Sequence, residues 1–258
     1  MITTVEEAIK ALKLNFDALK VEGDNDREYE ATLAYNFDIS PEEFLEFAIE
    51  DVEKPNKRGL VNALSNAKRA IDCQVDKILF CFGIRPDKSV KILQKLNLPR
   101  LNDLPAKMQV LQEIGIVAPR VIRKVVQKRN YLEHEYKCPE QEQVEDAVDI
   151  AQLFIEASNK TLHTFAGFAI YDHSDDKQHK AIFVDYKEEE DEGKFMINVL
   201  LEDIPAIGGS KGMESIFEEA LLDYYSVPMA RLAIALKNNR RRDEAIHNCT
   251  AFLHRLSS

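Results

Sequence analysis

The sequence has no long apolar run, no closely spaced cysteine pair and no surplus of positive charge, and each absence removes a class of function. The longest apolar stretches, such as residues 78–84, fall far short of the ~20 residues a membrane-spanning helix needs, so no membrane association is expected. The opening Met1-Ile2-Thr3-Thr4, followed by Glu6 and Glu7, carries neither the basic segment nor the apolar stretch of a secretory signal, and a cytoplasmic location is expected. Cys73, Cys81, Cys138 and Cys249 are scattered without zinc-ligand spacing, which suggests neither a disulfide framework, a metal site nor any other cofactor. With 34 basic against 45 acidic residues the formal charge is -11, which argues against wholesale wrapping of nucleic acid. Any RNA contact must be local.

What is present is mainly helical pattern. Ser40-Pro41-Glu42-Glu43 reads as a capping box with proline in the first turn, opening a helix that carries Phe44, Leu45, Phe47 and Ile49 inward and closes at Pro55. Leu60, Leu64, Ala67, Ile71, Val75, Ile78 and Leu79 recur at three and four, the period of a long amphipathic helix stopped by Gly83 and Pro86. Shorter helices are expected over 87–96 and 104–115. Two long ones follow over 118–136 and 140–158, separated by Cys138-Pro139. After Ser158 the residues enriched in Val, Ile, Phe and Tyr at 161–171, 181–186 and 195–201 predict strands of a small antiparallel sheet. The acidic run 187–192 reads as a solvated turn, Gly208-Gly209-Ser210 as a flexible joint, and 213–225 and 228–256 as helices. The expected organisation is an N-terminal helical extension (1–55), a helical bundle (56–158) and a β-containing segment with C-terminal helices (159–258).

One segment concentrates chemistry. Residues 120–136 open with Arg120, Arg123, Lys124, Lys128 and Arg129 and no acid among the first ten, inside an acidic chain. That makes a local phosphate-attracting patch, with Arg120, Arg123, Lys124 and Lys128 as RNA contacts. On a helix, Asn130 and His134 are four apart and share a face, while Arg129 and Tyr136, seven apart, align beside them. An imidazole titrating near neutral pH can move protons, and a guanidinium can hold a phosphate as negative charge grows on it. RNA supplies its own nucleophile in the neighbouring 2′-hydroxyl, so such a set needs no metal. The same helix also admits a bland reading as a solvated face or ion-pair strip, with Arg129 and Glu133 at salt-bridge spacing.

Arg129, four intervening residues, His134, one residue and Tyr136 resemble the Arg-x4-6-His signature of HEPN ribonucleases, including HepT-like toxins in which tyrosine follows histidine by one. Asn130 after the arginine is also typical, and the run 62–74 is similar in style to the first long HEPN helix. The resemblance implies a mainly α fold, an antiparallel HEPN-type bundle with the small antiparallel sheet and C-terminal helices appended. It further implies a homodimer with a composite cleft. There Arg129 holds the scissile phosphate, His134 is general acid or base, Asn130 orients the phosphate, and Tyr136 supports the site or is modified by a partner. Asp72 or Asp76 is the supporting acid on the first long helix. The expected function is a metal-independent endoribonuclease of toxin or defence type, with RNA and an antitoxin or defence-system protein as partners. The alternative is a non-catalytic HEPN module for dimerisation or nucleotide binding. His163, His173, His179, His247 and His254 are read as surface or satisfied residues, and Arg240-Arg241-Arg242 as helix-end charge or a second RNA contact.

Overall fold

The structure, a computed structural model, describes residues 2–23, 37–54, 56–101, 104–116, 119–162, 167–175, 178–189, 192–203, 214–238 and 241–258. The described residues are mainly helical, with one five-stranded antiparallel sheet. They fall into two compact units that interleave along the chain. Unit 1 takes residues 1–32, 81–84 and 163–258; unit 2 takes 33–80 and 85–162. The expected bundle segment 56–158 lies within unit 2 apart from four residues, and unit 2 also takes in 33–55.

Unit 1 is a sheet with helices packed on it. Helix α1 (Val5–Leu12) starts at Thr4, whose side chain accepts from the Glu7 N–H, and ends at Lys13 with a left-handed φ of 48°. Strand β1 (Leu19–Gly23) pairs with β2 (Phe168–Asp175), β2 with β3 (Gln178–Glu189), β3 with β4 (Glu192–Asp203) and β4 with β5 (Glu214–Leu221), so the sheet follows the order β1-β2-β3-β4-β5. The register puts Phe168, Ile170, Ile182, Val184, Phe195, Ile197 and Val199 on one face, all buried, because side chains alternate along a strand. Helices α8 (Ser226–Asn238) and α9 (Arg242–Ser257) complete the layer, α9 packing on α1 and α8.

Four expectations change here, the first being the strand expected over 161–171: Thr161 and Leu162 are helical, and β2 starts only at Phe168. Residues 1–55 are not wholly helical, since β1 forms an edge strand there. The segment expected as helix over 213–225 contains β5: Ile216, Phe217, Ala220 and Leu221 have helical spacing, but β4 offers β5 a ladder of backbone partners, interrupted by one register shift between Val199 and Leu200. Pairing context outweighs local preference. The helix expected over 228–256 is two helices, α8 and α9. The Gly208-Gly209-Ser210 joint lies outside the described residues. So do residues 190–191 of the acidic run, whose described ends are strand rather than turn, Glu188 and Glu189 in β3 and Glu192 in β4, with Glu189 opposite Glu192.

A buried ion pair fixes the corner between α1 and β1. Asp172 is fully buried and accepts from the Asn15 N–H (2.8 Å), the Ser174 N–H (2.9 Å) and the Ser174 hydroxyl (2.6 Å). Lys180 Nζ lies 3.8 Å away and donates to the Lys13 carbonyl at 3.1 Å. Burial alone would raise the Asp172 pKa, but the Asn15 and Ser174 hydrogen bonds and the Lys180 charge outweigh it and hold the carboxyl below its usual range.

Unit 2 consists of helices. Helix α2 (Pro41–Val52) has the expected capping box, with Ser40 accepting from the Glu43 N–H and Glu43 accepting from the Ser40 N–H. Of the side chains expected inward, however, Phe44 and Leu45 are half-buried and Phe47 and Ile49 are exposed, Ala48 taking the buried face. Helix α3 (Lys57–Cys81) is the expected long helix, and its face of Ala63, Leu64, Ala67, Ile71, Val75 and Ile78 is buried. Gly59 is required where α2 turns into α3: a Cβ there would sit 2.5 Å from the Lys54 carbonyl oxygen and 2.7 Å from that of Asp51. A 3-10 turn at Pro86–Lys88, α4 (Ser89–Lys95) and α5 (Ala106–Glu113) follow, then α6 (Pro119–Glu135) and α7 (Gln141–Leu162), which pack together. Buried Gln109 braces the chain before α5 by bonding the Leu101 N–H and carbonyl and the Leu104 carbonyl.

Candidate nucleic-acid interface on α6

Helix α6 carries every residue of the candidate motif except Tyr136. The helix is amphipathic: Ile122 and Val125 are buried, whereas Lys124, Gln127 and His134 are exposed and Arg123 is half-buried. At 100° per residue, positions 123, 127, 130 and 134 fall within a stripe about 60° wide, so Arg123, Gln127, Asn130 and His134 occupy one face over roughly 16 Å of helix. His134, in the last turn, is open to solvent. Sequence reading missed Gln127, although the spacing of three and four that links it to Asn130 and Arg123 was available.

The other motif residues divide. Position 129 is about 140° around the axis from position 134, and it falls in line with Ile122 and Val125 on the apolar side. A single α6 therefore does not bring positions 129 and 134 onto one face. The side chains of Arg120, Lys128, Arg129 and Asn130 lie outside the described residues. Tyr136 is not helical: α6 ends at Glu135, and Tyr136 has φ 54° and is 88% exposed. The expected alignment of Arg129 with Tyr136 on a helix face is corrected by this left-handed stop, which swings the phenol into solvent. The chain after it, Cys138-Pro139, is the expected break before α7, and Lys137 pairs with Glu135 at 2.6 Å on the surface.

The two candidate supporting acids on α3 are both in ion pairs. Asp72 accepts from Lys68 one turn before it, and Asp76 accepts from Lys107 of α5 at 2.9 and 3.1 Å. Between them Cys73 donates to the Ile39 carbonyl, and burial, with the charges of Asp76 and Glu42, pushes its thiol up to about 11. It is no thiolate nucleophile.

Next to this lies a polar network that sequence reading did not anticipate. Gln74 is fully buried on α3 and donates to Ser158 Oγ and Asn159 Oδ1, both at 2.8 Å, on α7. Asn159 donates to Glu42 of α2 at 3.0 Å, and Lys77 reaches the same carboxylate at 3.2 Å. Burial opposes ionisation of Glu42, but Asn159 and Lys77 together hold its pKa below the usual carboxylate value. The network fixes α2, α3 and α7 against one another. It has no sequence signal because Glu42, Gln74 and Asn159 are distant in the chain and each reads as an ordinary helix-surface residue.

Among the described residues no group of three or more His, Cys, Asp or Glu side chains is disposed to hold a metal ion, and no helix is long and apolar enough to cross a membrane. Of the remaining histidines, His254 packs edge-on against Phe16 at 4.8 Å, and His247 is exposed on α9. Cys249 is buried beside Met229, and burial pushes its thiol up to about 12. Comparison with family models, with curated proteins and with solved structures finds no match to this chain.

Proposed function

We propose that unit 2 is an RNA-directed module in which α6 meets the phosphate backbone, and that its activity is metal-independent RNA cleavage of the HEPN type. The observation that carries this reading is the solvent-open imidazole of His134 at the end of a stripe shared with Arg123, Gln127 and Asn130. A proton-transfer group must reach its substrate, and a cationic, amide-bearing stripe supplies donors to phosphate oxygens. In the proposed reaction the 2′-hydroxyl attacks the adjacent phosphorus, the 5′-oxygen leaves, and a 2′,3′-cyclic phosphate remains. His134 moves a proton as general base or acid, Arg129 neutralises the phosphate and Asn130 orients it. Arg120, Arg123, Lys124 and Lys128 attract the backbone. Since positions 129 and 134 diverge on one helix, the site is proposed to be shared by two copies of the chain around a two-fold axis. Exposed Tyr136 is accessible to support the cleft or to receive a modifying group from a partner of toxin-antitoxin or defence type.

The divergence of positions 129 and 134 also favours a second reading, a non-catalytic module that dimerises or binds nucleotides through α6. One assay separates the two. Purified protein is incubated with RNA in EDTA and the products are analysed for cyclic phosphate ends. Cleavage that His134→Ala abolishes supports the enzyme. Retarded but intact RNA, with no difference between wild type and His134→Ala in cleavage, supports the binding module, and cleavage that appears only with added metal overturns the proposed chemistry.

A further inference from the structure

Chain that merely passes between units is usually exposed, yet Cys81, Phe82 and Ile84 have no solvent exposure at all. Cys81 is the last residue of α3, and the other three lead on to the 3-10 turn of unit 2, yet Cys81–Ile84 belong to unit 1. The Phe82 ring stacks on Phe195 of β4 with centroids 5.8 Å apart and planes within 4°. Tyr186 of β3 meets the Phe195 ring edge-on at 5.5 Å, and its hydroxyl donates to the Cys81 carbonyl at 2.7 Å. That bond satisfies one of the carbonyls a helix end leaves without an intrahelical donor. The Gly83 carbonyl accepts from the Asp223 N–H at 2.9 Å, just beyond β5. Gly83 itself has φ +66°, and a Cβ there would sit 3.2 Å from the Leu221 carbonyl oxygen and from a Leu222 methyl. Four residues therefore engage β3, β4 and the end of β5 at once.

We infer that Cys81–Ile84 is the keystone of unit 1, a plug inserted from the middle of the chain without which the sheet does not close its core. Phe82 is among the largest fully buried side chains, so its absence leaves a ring-sized void against Phe195. The polar contacts of Tyr186 and Asp223 fix the depth at which the plug seats, and the left-handed Gly83 within it keeps α3 from continuing past Cys81. Two consequences follow. Residues 1–32 and 163–258 do not make a self-sufficient domain, because their core lacks a side chain that only the chain of α3 delivers. Winding α3 past Cys81 would withdraw Phe82, so the order of unit 1 depends on that helix stopping at Cys81.

Hydrogen exchange on the full-length protein tests this. In Phe82→Ala, amides of β3 and β4 should exchange about a hundredfold faster than in the wild type, while those of α7 keep their protection. Tyr186→Phe, which removes only the hydroxyl, should give about a tenfold effect at the same amides. It keeps the test decisive if Phe82→Ala does not accumulate. Faster exchange confined to 81–84, with β3 and β4 unchanged in both variants, overturns the keystone. Equal acceleration in α7 overturns it as well, because the effect would then be global.

Discussion

Units 1 and 2 divide the charge of the chain very unequally. Unit 1 holds 25 acidic and 15 basic residues, a balance of -10, whereas unit 2 holds 20 and 19, a balance of -1. The acidity of the whole chain is a property of unit 1. Partners respond to local field rather than to the chain average, so the formal charge of -11 carries no argument against phosphate binding on α6. The interiors differ in the same sense. Unit 1 surrounds one charge pair, Asp172 and Lys180, with a dense apolar sheet core, while unit 2 joins three helices through the network of Glu42, Gln74, Lys77, Ser158 and Asn159.

The sharpest way to break this comparison is through His134. Its exposure means that His134→Ala should leave thermal stability unchanged while RNA cleavage falls by about 10²–10⁴-fold, the range for a general acid–base group. Loss of stability with intact cleavage would place the function elsewhere. In unit 1 the largest effect is expected from Asp172→Ala, which strands the Lys180 ammonium in a buried site and should cost about 3–5 kcal/mol in denaturant unfolding. The pH dependence has a definite sign. Because the Asp172 pKa is depressed by folding, its contribution is complete above the ordinary unfolded carboxyl value near 4 and disappears as pH falls through the lower folded value. Asp172→Asn should therefore be destabilised at neutral pH and show a flatter acid limb.

A smaller effect is expected at the start of α2, where Ser40→Ala removes the capping box and should cost about 1 kcal/mol, read as a lowered Tm. The smallest is at Lys124. If α6 faces phosphate, Lys124→Ala weakens RNA binding by a few fold and lowers the slope of log affinity against log salt by about one, whereas the equivalent change at Lys187 of unit 1 leaves both alone. Equal effects in the two units would erase the charge argument.

Much of the fold was legible because the signals were local. The capping box at Ser40, the three-and-four spacing through α3, and the Cys138-Pro139 break each act within a turn or two of helix, and each element formed where its residues called for it. Strands β3 and β4 were legible for the same reason, since alternating apolar residues mark one face of a sheet, whereas β2 starts later than its apolar residues suggested because α7 runs on to Leu162. The segment of β5 carried a helical pattern and became a strand, and β1 offered only Leu19 and Val21 as apolar cues. Of the candidate site, the stripe through Asn130 and His134 followed from helix period alone. The place of Tyr136 did not, because a helix stop one residue earlier changes direction entirely.

By itself, then, the sequence determined the capped start of α2, the length and apolar face of α3, the break before α7 and the gathering of cations over residues 120–129. All of these depend on neighbours within about ten residues. Only the tertiary structure decided that Cys81, Phe82 and Ile84 belong to the core of unit 1, that Gln74 of α3 reaches Asn159 of α7, which in turn reaches Glu42, and that Asp172 is paired with Lys180. The reason is physical: a buried polar or aromatic group is defined by partners that close around it from remote parts of the chain, and no local pattern records which ones will arrive.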